Sequence, residues 1–184
     1  MIKNRFERAL AKLRLLFLEN SLLAGRAGKE FPFASNIFFT FNKNMTQKTL
    51  IILKPDCMEK NLAGTVISRF EAAGLTLAAC KMIRITDALV REHYAHLVTE
   101  PFFGFLSTWM MSRPVIVAVL QGENAIEKVR ELLGPTKSAN APAGTIRGDF
   151  GDKEVVTYNI CHASDGEASA AAEIARFFGE GEVF

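Results

Sequence analysis

The residues from Met45 onward predict an α/β chain of the α+β kind: a ferredoxin-like, split β-α-β sandwich with a four-stranded antiparallel sheet covered by helices. Short β-rich runs alternate with stretches whose apolar residues recur at helical spacing. The order is strand, helix, strand, helix pair, strand, helix, long loop, strand, helix. Each boundary carries a turn or cap residue of the right chemistry.

The first strand is residues 48–54 (KTLIILK), an apolar run that Pro55 ends in a turn. Leu62, Val66, Ile67, Phe70 and Ala73 then fall on one helical face, and Gly74 stands where a C-terminal cap belongs. Residues 75–85 read as extended. Thr86 and Asp87 open a helix carrying Leu89, Val90, Tyr94 and Leu97, and Pro101 suits the first turn of another, over residues 102–111. Arg113-Pro114 breaks it before the β-rich run 115–120, expected in the sheet interior. Asn124 with Glu127 forms a capping-box pattern for a helix faced by Ile126, Val129, Leu132 and Leu133 and ended by Gly134. Residues 135–150 read as a long loop, of a length that in compact domains tends to be functional. Residues 155–161 regain strand character, and Ser164 with Glu167 repeats the capping box before a helix through Ile174 and Phe177.

With 184 residues, 49% hydrophobic and 23% charged, the chain can bury one sizeable core and is too short for a second full domain. Its net charge of +2 comes from residues 1–44, which hold eight Lys/Arg against three Asp/Glu; residues 45–184 hold fourteen against seventeen. A slightly acidic body excludes a broad nucleic-acid footprint, so an anionic ligand must be met by local groups. Cys57, Cys80 and Cys161 are odd in number and lack C-x-x-C spacing, which argues against a disulfide framework or zinc site and for a reducing cytoplasm. No apolar run approaches the roughly 20 residues of a membrane span.

Residues 1–44 read as an N-terminal extension, either poorly ordered or a basic amphipathic helix, ahead of a domain at 45–184. Phe6, Leu10, Leu13 and Phe17 recur at helical spacing among Lys3, Arg5, Arg8, Lys12 and Arg14. No small-residue cleavage pattern follows, and Glu7, Glu19 and Glu30 are atypical of a transit peptide, so Met45 is the expected natural start and targeting the alternative.

His162 directly follows the last expected strand and precedes a helix start, beside backbone N–H groups that favour anions. A partly neutral imidazole there can act as a nucleophile toward phosphorus; a structural histidine is the competing reading. Lys54, Arg130 and Arg147 lie on separate elements with Thr136 and Thr145 nearby, and could converge on a polyphosphate. His93 and His96 share the i, i+3 spacing of a metal pair, but no further ligands accompany them, which favours helix-surface residues and no protein metal site. Phe102, Phe103, Phe105 and Trp109 form an aromatic cluster from which one exposed ring could stack on a base.

Taken together, separated motifs in one order resemble the nucleoside diphosphate kinase family over about residues 47–182: Leu53-Lys54-Pro55-Asp56, His93-Tyr94, Pro101-Phe102-Phe103, Gly134-Pro135 with Asn140, GTIRGDF at 144–150 and NICHASD at 159–165. The resemblance implies transfer of the γ-phosphoryl group from a nucleoside triphosphate, typically ATP, to a nucleoside diphosphate through phosphorylated His162. It implies nucleotide contacts from Lys54 and Asn159, phosphate contacts from Arg130, Thr136 and Arg147, and base stacking on Phe102 with Leu106 near it. Tyr94 would lie beside the histidine and phosphates, and Ser164 and Glu173 would support the ring. Mg2+ would be held mainly by the nucleotide phosphates, and the chain would form a homo-oligomer, a hexamer or tetramer. Two positions depart from the family pattern. Ala163 stands where glycine is usual, and residues 151–157 are longer than the common spacing, which leaves open whether Val155 or Val156 lies near the base. A non-catalytic nucleotide-binding or regulatory protein would be free to lose His162, Lys54 or Asn159. An RNA-binding module would want paired aromatics on the central strands and a basic body.

Overall fold

The computed structural model describes residues 46–184; the amphipathic segment at 2–23 lies outside the described residues. The strands are β1 (Thr46–Leu53), β2 (Thr76–Ile83), β3 (Val115–Glu123) and β4 (Cys161–Ala163). The helices are α1 (Pro55–Glu59), α2 (Ala63–Ala72), α3 (Asp87–His93), α4 (Phe103–Met111), α5 (Ala125–Leu133), α6 (Ile146–Phe150) and α7 (Glu167–Phe177). All pairings are antiparallel in the order β2-β3-β1-β4, the arrangement expected of the split β-α-β class.

The second half of β1, Leu50–Leu53, is continuously apolar because both its faces are covered. Leu50 and Ile52 point into a core with Val90, Tyr94, Phe103, Leu106, Met110 and Phe177, from α3, α4 and α7. Ile51 and Leu53 point the other way, toward Val66, Phe70, Val129, Leu133 and Ile146, from α2, α5 and α6. This alternation sets the face of each β4 residue, since directly paired residues share a side of the sheet. His162 pairs with Ile52, so its ring enters the α3/α4/α7 layer, while Cys161 and Ala163 pair with Leu53 and Ile51 and face the other layer.

Several elements differ from expectation. Pro55 starts a short helix instead of a turn, as its fixed φ and missing N–H permit at a first helical position. The loop after α5 contains a 3-10 turn at Ser138–Asn140 and α6, whose N-cap Thr145 accepts from Gly148 N at 3.1 Å. Neither expected capping box forms. Asn124 lies at φ 51° in the left-handed region and its side chain caps nothing. Ser164 is buried and turned into the sheet, while Gly166 N donates to Ser169 Oγ at the actual start of α7. The last strand covers only Cys161–Ala163: Asp152 Oδ1 accepts from Glu154 N (2.8 Å) and Val155 N (2.7 Å), folding the β-branched run 155–157 into a turn. His162 therefore sits within the last strand and not beyond its end.

Candidate active site

Three stretches distant in sequence bring the site together. At the end of β1, Lys54 is buried, and its Nζ donates to Asn159 Oδ1 at 2.6 Å. Burial, reinforced by the Arg147 charge, lowers this ammonium to about 8, against the opposing pull of Asp56. Asn159 also donates through Nδ2 to Thr136 O and Val156 O, each at 3.0 Å, tying the loop after α5 to the approach to β4. Arg147, buried on α6, uses three of its donors on backbone carbonyls: Nε to Asn159 O (3.2 Å), Nη1 to Gly134 O (2.8 Å) and Nη2 to Cys161 O (2.7 Å). A guanidinium has five N–H donors, so a bound anion can still be met after these bonds fix its plane.

Between Asn159 and His162 the backbone is strained. Ile160 adopts φ 71°, an outlier for a β-branched residue. Its N–H donates to Asp56 Oδ2 at 2.9 Å, and its carbonyl accepts from Lys54 N at 2.9 Å. The Leu-Lys-Pro-Asp segment thus clamps the turn that delivers His162 to the sheet. Burial raises the Asp56 carboxyl above its usual range, although the Ile160 N–H and the Lys54 charge oppose the rise.

His162 Nε2 lies 3.0 Å from Glu173 Oε2, and the same oxygen accepts from Ser164 Oγ at 2.7 Å. Ser164 Oγ in turn accepts from Leu50 N at 3.2 Å, so the orientation of the imidazole is traced to the β1 backbone. Burial pushes the Glu173 carboxyl upward, but the His162 hydrogen bond and charge and the Ser164 hydroxyl outweigh it, leaving its pKa below the ordinary value. Among the described residues, Nδ1 of His162 has no partner.

The cleft in front of His162 is lined by every expected site residue except Ser164, which acts behind Glu173. Arg130 reaches it from the last turn of α5 and Thr136 from the following loop. Tyr94 is buried beside His162, ring centroids 6.3 Å apart, and its hydroxyl has no partner among the described residues. Phe102, 48% exposed, stands at the rim with buried Leu106 behind it. Of the two valines in the lengthened turn, Val156 lines the cleft. Phe105 and Trp109 do not line the cleft: both stack on Tyr158, at 6.0 and 4.8 Å.

His93 corrects the sequence reading. It is buried, edge-on to His162 at 4.6 Å, whereas its helical neighbour His96 is exposed. Burial, then the neighbouring His162, lowers the His93 imidazole to about 3, so it is neutral at physiological pH. Helical spacing marked the pair; only the strand register of His162 could show which member faces the site. Ala163 also resolves plainly. It has an ordinary negative φ, unlike Ile160, so its backbone does not require glycine.

A model of the family described as nucleoside diphosphate kinase matches residues 47–183. Among solved structures, the chain resembles the nucleoside diphosphate kinase of Aquifex aeolicus, 42% identical with a TM-score of 0.71, over 76% of this chain and 100% of that one. It resembles the Halobacterium salinarum enzyme in complex with CDP (37%, TM-score 0.73, covering 76% and 92%). It also resembles the Borrelia burgdorferi enzyme in a transition-state mimic with vanadate and ADP (38%, TM-score 0.71, covering 76% and 90%). With this fold, this clustering of cationic groups around a histidine and matches over nearly the whole described chain, the protein belongs to the nucleoside diphosphate kinase family.

Proposed function

We propose that this nucleoside diphosphate kinase works through His162, which takes the γ-phosphoryl group from a nucleoside triphosphate, typically ATP, and passes it to a second nucleoside diphosphate. The division of labour in the imidazole carries this reading: Nε2 is held by Glu173 at 3.0 Å, which keeps the proton there and leaves the Nδ1 lone pair free. In the first half-reaction that lone pair attacks the γ-phosphorus, the bond from phosphorus to the β–γ bridging oxygen breaks, and the electron pair leaves with the diphosphate. In the second, a terminal oxygen of the incoming diphosphate attacks the same phosphorus and the P–N bond returns its electrons to Nδ1. Glu173 offsets the positive charge that the ring carries while phosphorylated.

Phosphoryl transfer asks mainly for alignment and for charge against the transferring oxygens. Arg130, Arg147 and Thr136 are assigned to the phosphates, Lys54 and Asn159 to the sugar and nearby phosphates, and the orphaned Tyr94 hydroxyl to the group in transit. Phe102, with Leu106 and Val156, is assigned to the base, whose π-face any nucleobase presents. Mg2+ prefers oxygen ligands, and the cleft offers cations and amides around the phosphate position; the ion would enter on the nucleotide and neutralise charge on the β- and γ-oxygens. Homo-oligomerisation as a hexamer or tetramer and a cytoplasmic location complete the reading, the latter supported by three free cysteines.

The test is incubation with γ-labelled ATP. An acid-labile label on His162, removed by added diphosphate and absent from His162→Ala, is the expected result. A folded protein that takes no such label overturns the mechanism.

A further inference from the structure

Among the described residues, His93, His162 and Glu173 form a cluster whose metal-ligating atoms, one from each side chain, all lie within 4.8 Å of one another. The phosphotransfer cycle uses His162 and Glu173 and gives His93 no task. Yet His93 is only 8% exposed, with Nδ1 accepting from Arg176 Nη1 at 3.4 Å and Nε2 without a partner among the described residues. A buried imidazole nitrogen left unpaired is costly and calls for an explanation. Burial keeps this ring neutral at physiological pH. Arg176 can only donate, so Nδ1 holds the lone pair and the unpartnered Nε2 the proton; an ion on Nε2 moves that proton to Nδ1, with Arg176 left to Glu92.

We propose that His93, His162 and Glu173 form a binding site for a divalent transition ion of the zinc class, and that its occupation switches the kinase off. Two imidazoles and one carboxylate are a donor set that zinc accepts with a fourth position left to water. Mg2+ prefers oxygen, so the nucleotide's own ion does not compete for it. Ligands at about 2.0–2.1 Å from a tetrahedral ion lie about 3.4 Å apart. The His162–Glu173 contact at 3.0 Å therefore has to open slightly and His93 to close on it, a side-chain adjustment. Arg176 is the opposing charge beside His93, and it is already paired with Glu92 at 2.8 Å.

The inhibitory effect follows from tautomerism and depends on His162 being the nucleophile; the metal site itself does not. With Glu173 as partner, the ring proton sits on Nε2 and Nδ1 holds the lone pair. A metal ion on Nε2 takes that nitrogen's electron pair, and the neutral ring then carries its proton on Nδ1. Nδ1–H has no pair with which to attack phosphorus. The site would couple the enzyme to free transition metal without touching the nucleotide contacts.

The experiment titrates the full-length protein with Co2+, read by visible absorption, and with buffered Zn2+, read by calorimetry and by phosphotransfer at fixed Mg2+. Expected are one ion per chain, the intense visible bands of low-coordinate Co2+, and Zn2+ inhibition. Half-inhibition should require at least about tenfold more free Zn2+ in His93→Gln, each variant being normalised to its own metal-free rate. The exposed alternatives His96→Gln and Cys80→Ser should keep the wild-type response. Glu173→Gln, read by calorimetry alone, should also bind more weakly and serves if His93→Gln does not fold. Absence of Co2+ bands in the wild type, an unchanged Zn2+ response in folded His93→Gln, unchanged binding in Glu173→Gln, or loss of the response in His96→Gln or Cys80→Ser overturns the proposal. Cobalt bands in a metal-binding protein whose zinc-free form takes no label on His162 would instead overturn the mechanism and leave the site standing.

Discussion

Lys54 shows how burial makes one side chain report on pH. Its ammonium is lowered to about 8 from the ordinary lysine value of 10.5. Between those values the unfolded chain binds the extra proton, so the stability of the nucleotide-free protein rises with pH from about 8 to 10. Bound phosphate favours the charged form, so nucleotide binding should weaken over the same window. The expected result is that the rise in Tm produced by saturating Mg2+-ADP is smaller at pH 9 than at pH 7, and that Lys54→Met shows a small rise with no such trend. A wild-type response that is flat from pH 7 to 9 contradicts the assignment. Ser164 acts one step further back, holding Glu173 at 2.7 Å. A hydrogen bond to a charged acceptor contributes about 1.5–3 kcal/mol, so Ser164→Ala should lower kcat by roughly tenfold or more with little change in KM. Steady-state kinetics on both parameters checks it. The chemistry-bearing residues were legible because His162, Lys54, Arg147 and Asn159 lie in short motifs of fixed order. His93 was not: facing the site depends on the one-residue register that pairs His162 with Ile52, and a one-residue slip would reverse it.

At the scale of elements, the legible boundaries were those set by local chemistry, such as Thr86 capping α3 by accepting from Leu89 N at 3.3 Å. Where tertiary contacts compete, local pattern lost. Ser164 has good capping chemistry but is drawn to Leu50 and Glu173, and Val155, Val156 and Thr157 have strand propensity but follow Asp152, whose carboxylate captures two backbone donors. α6 gives a direct test, because it carries Arg147. A Cβ on Gly148 would collide with the Pro142 carbonyl and the Thr145 hydroxyl. Overpacking of this kind costs about 1–3 kcal/mol, so Gly148→Ala should lower Tm and also raise KM as the guanidinium shifts. Ala163, by contrast, has no torsion that needs glycine. Glycine in a strand costs about 0.5–1 kcal/mol relative to alanine, so Ala163→Gly should destabilise β4 slightly and leave turnover near the wild-type value. A gain of orders of magnitude in kcat would mean that the alanine methyl obstructs the reaction.

Considered as a whole, the described chain closes its own core. β1 lies between β3 and β4, and among the described residues the two apolar clusters draw on positions 50–183. The C-terminal end is fastened to the same sheet: Phe184 N donates to Ala78 O at 2.9 Å, and Lys48 Nζ donates to Phe184 O at 3.1 Å. Every residue assigned to the nucleotide lies between Lys54 and Glu173, and the family match spans 47–183. A protein reduced to residues 45–184 should therefore retain the Tm of the full chain and a kcat/KM within about threefold, a difference of less than 1 kcal/mol in transition-state stabilisation. Parallel melts and kinetics of the two lengths measure this. A truncated protein that unfolds, or that folds but loses most of its kcat/KM, would assign residues 1–44 a part in the enzyme.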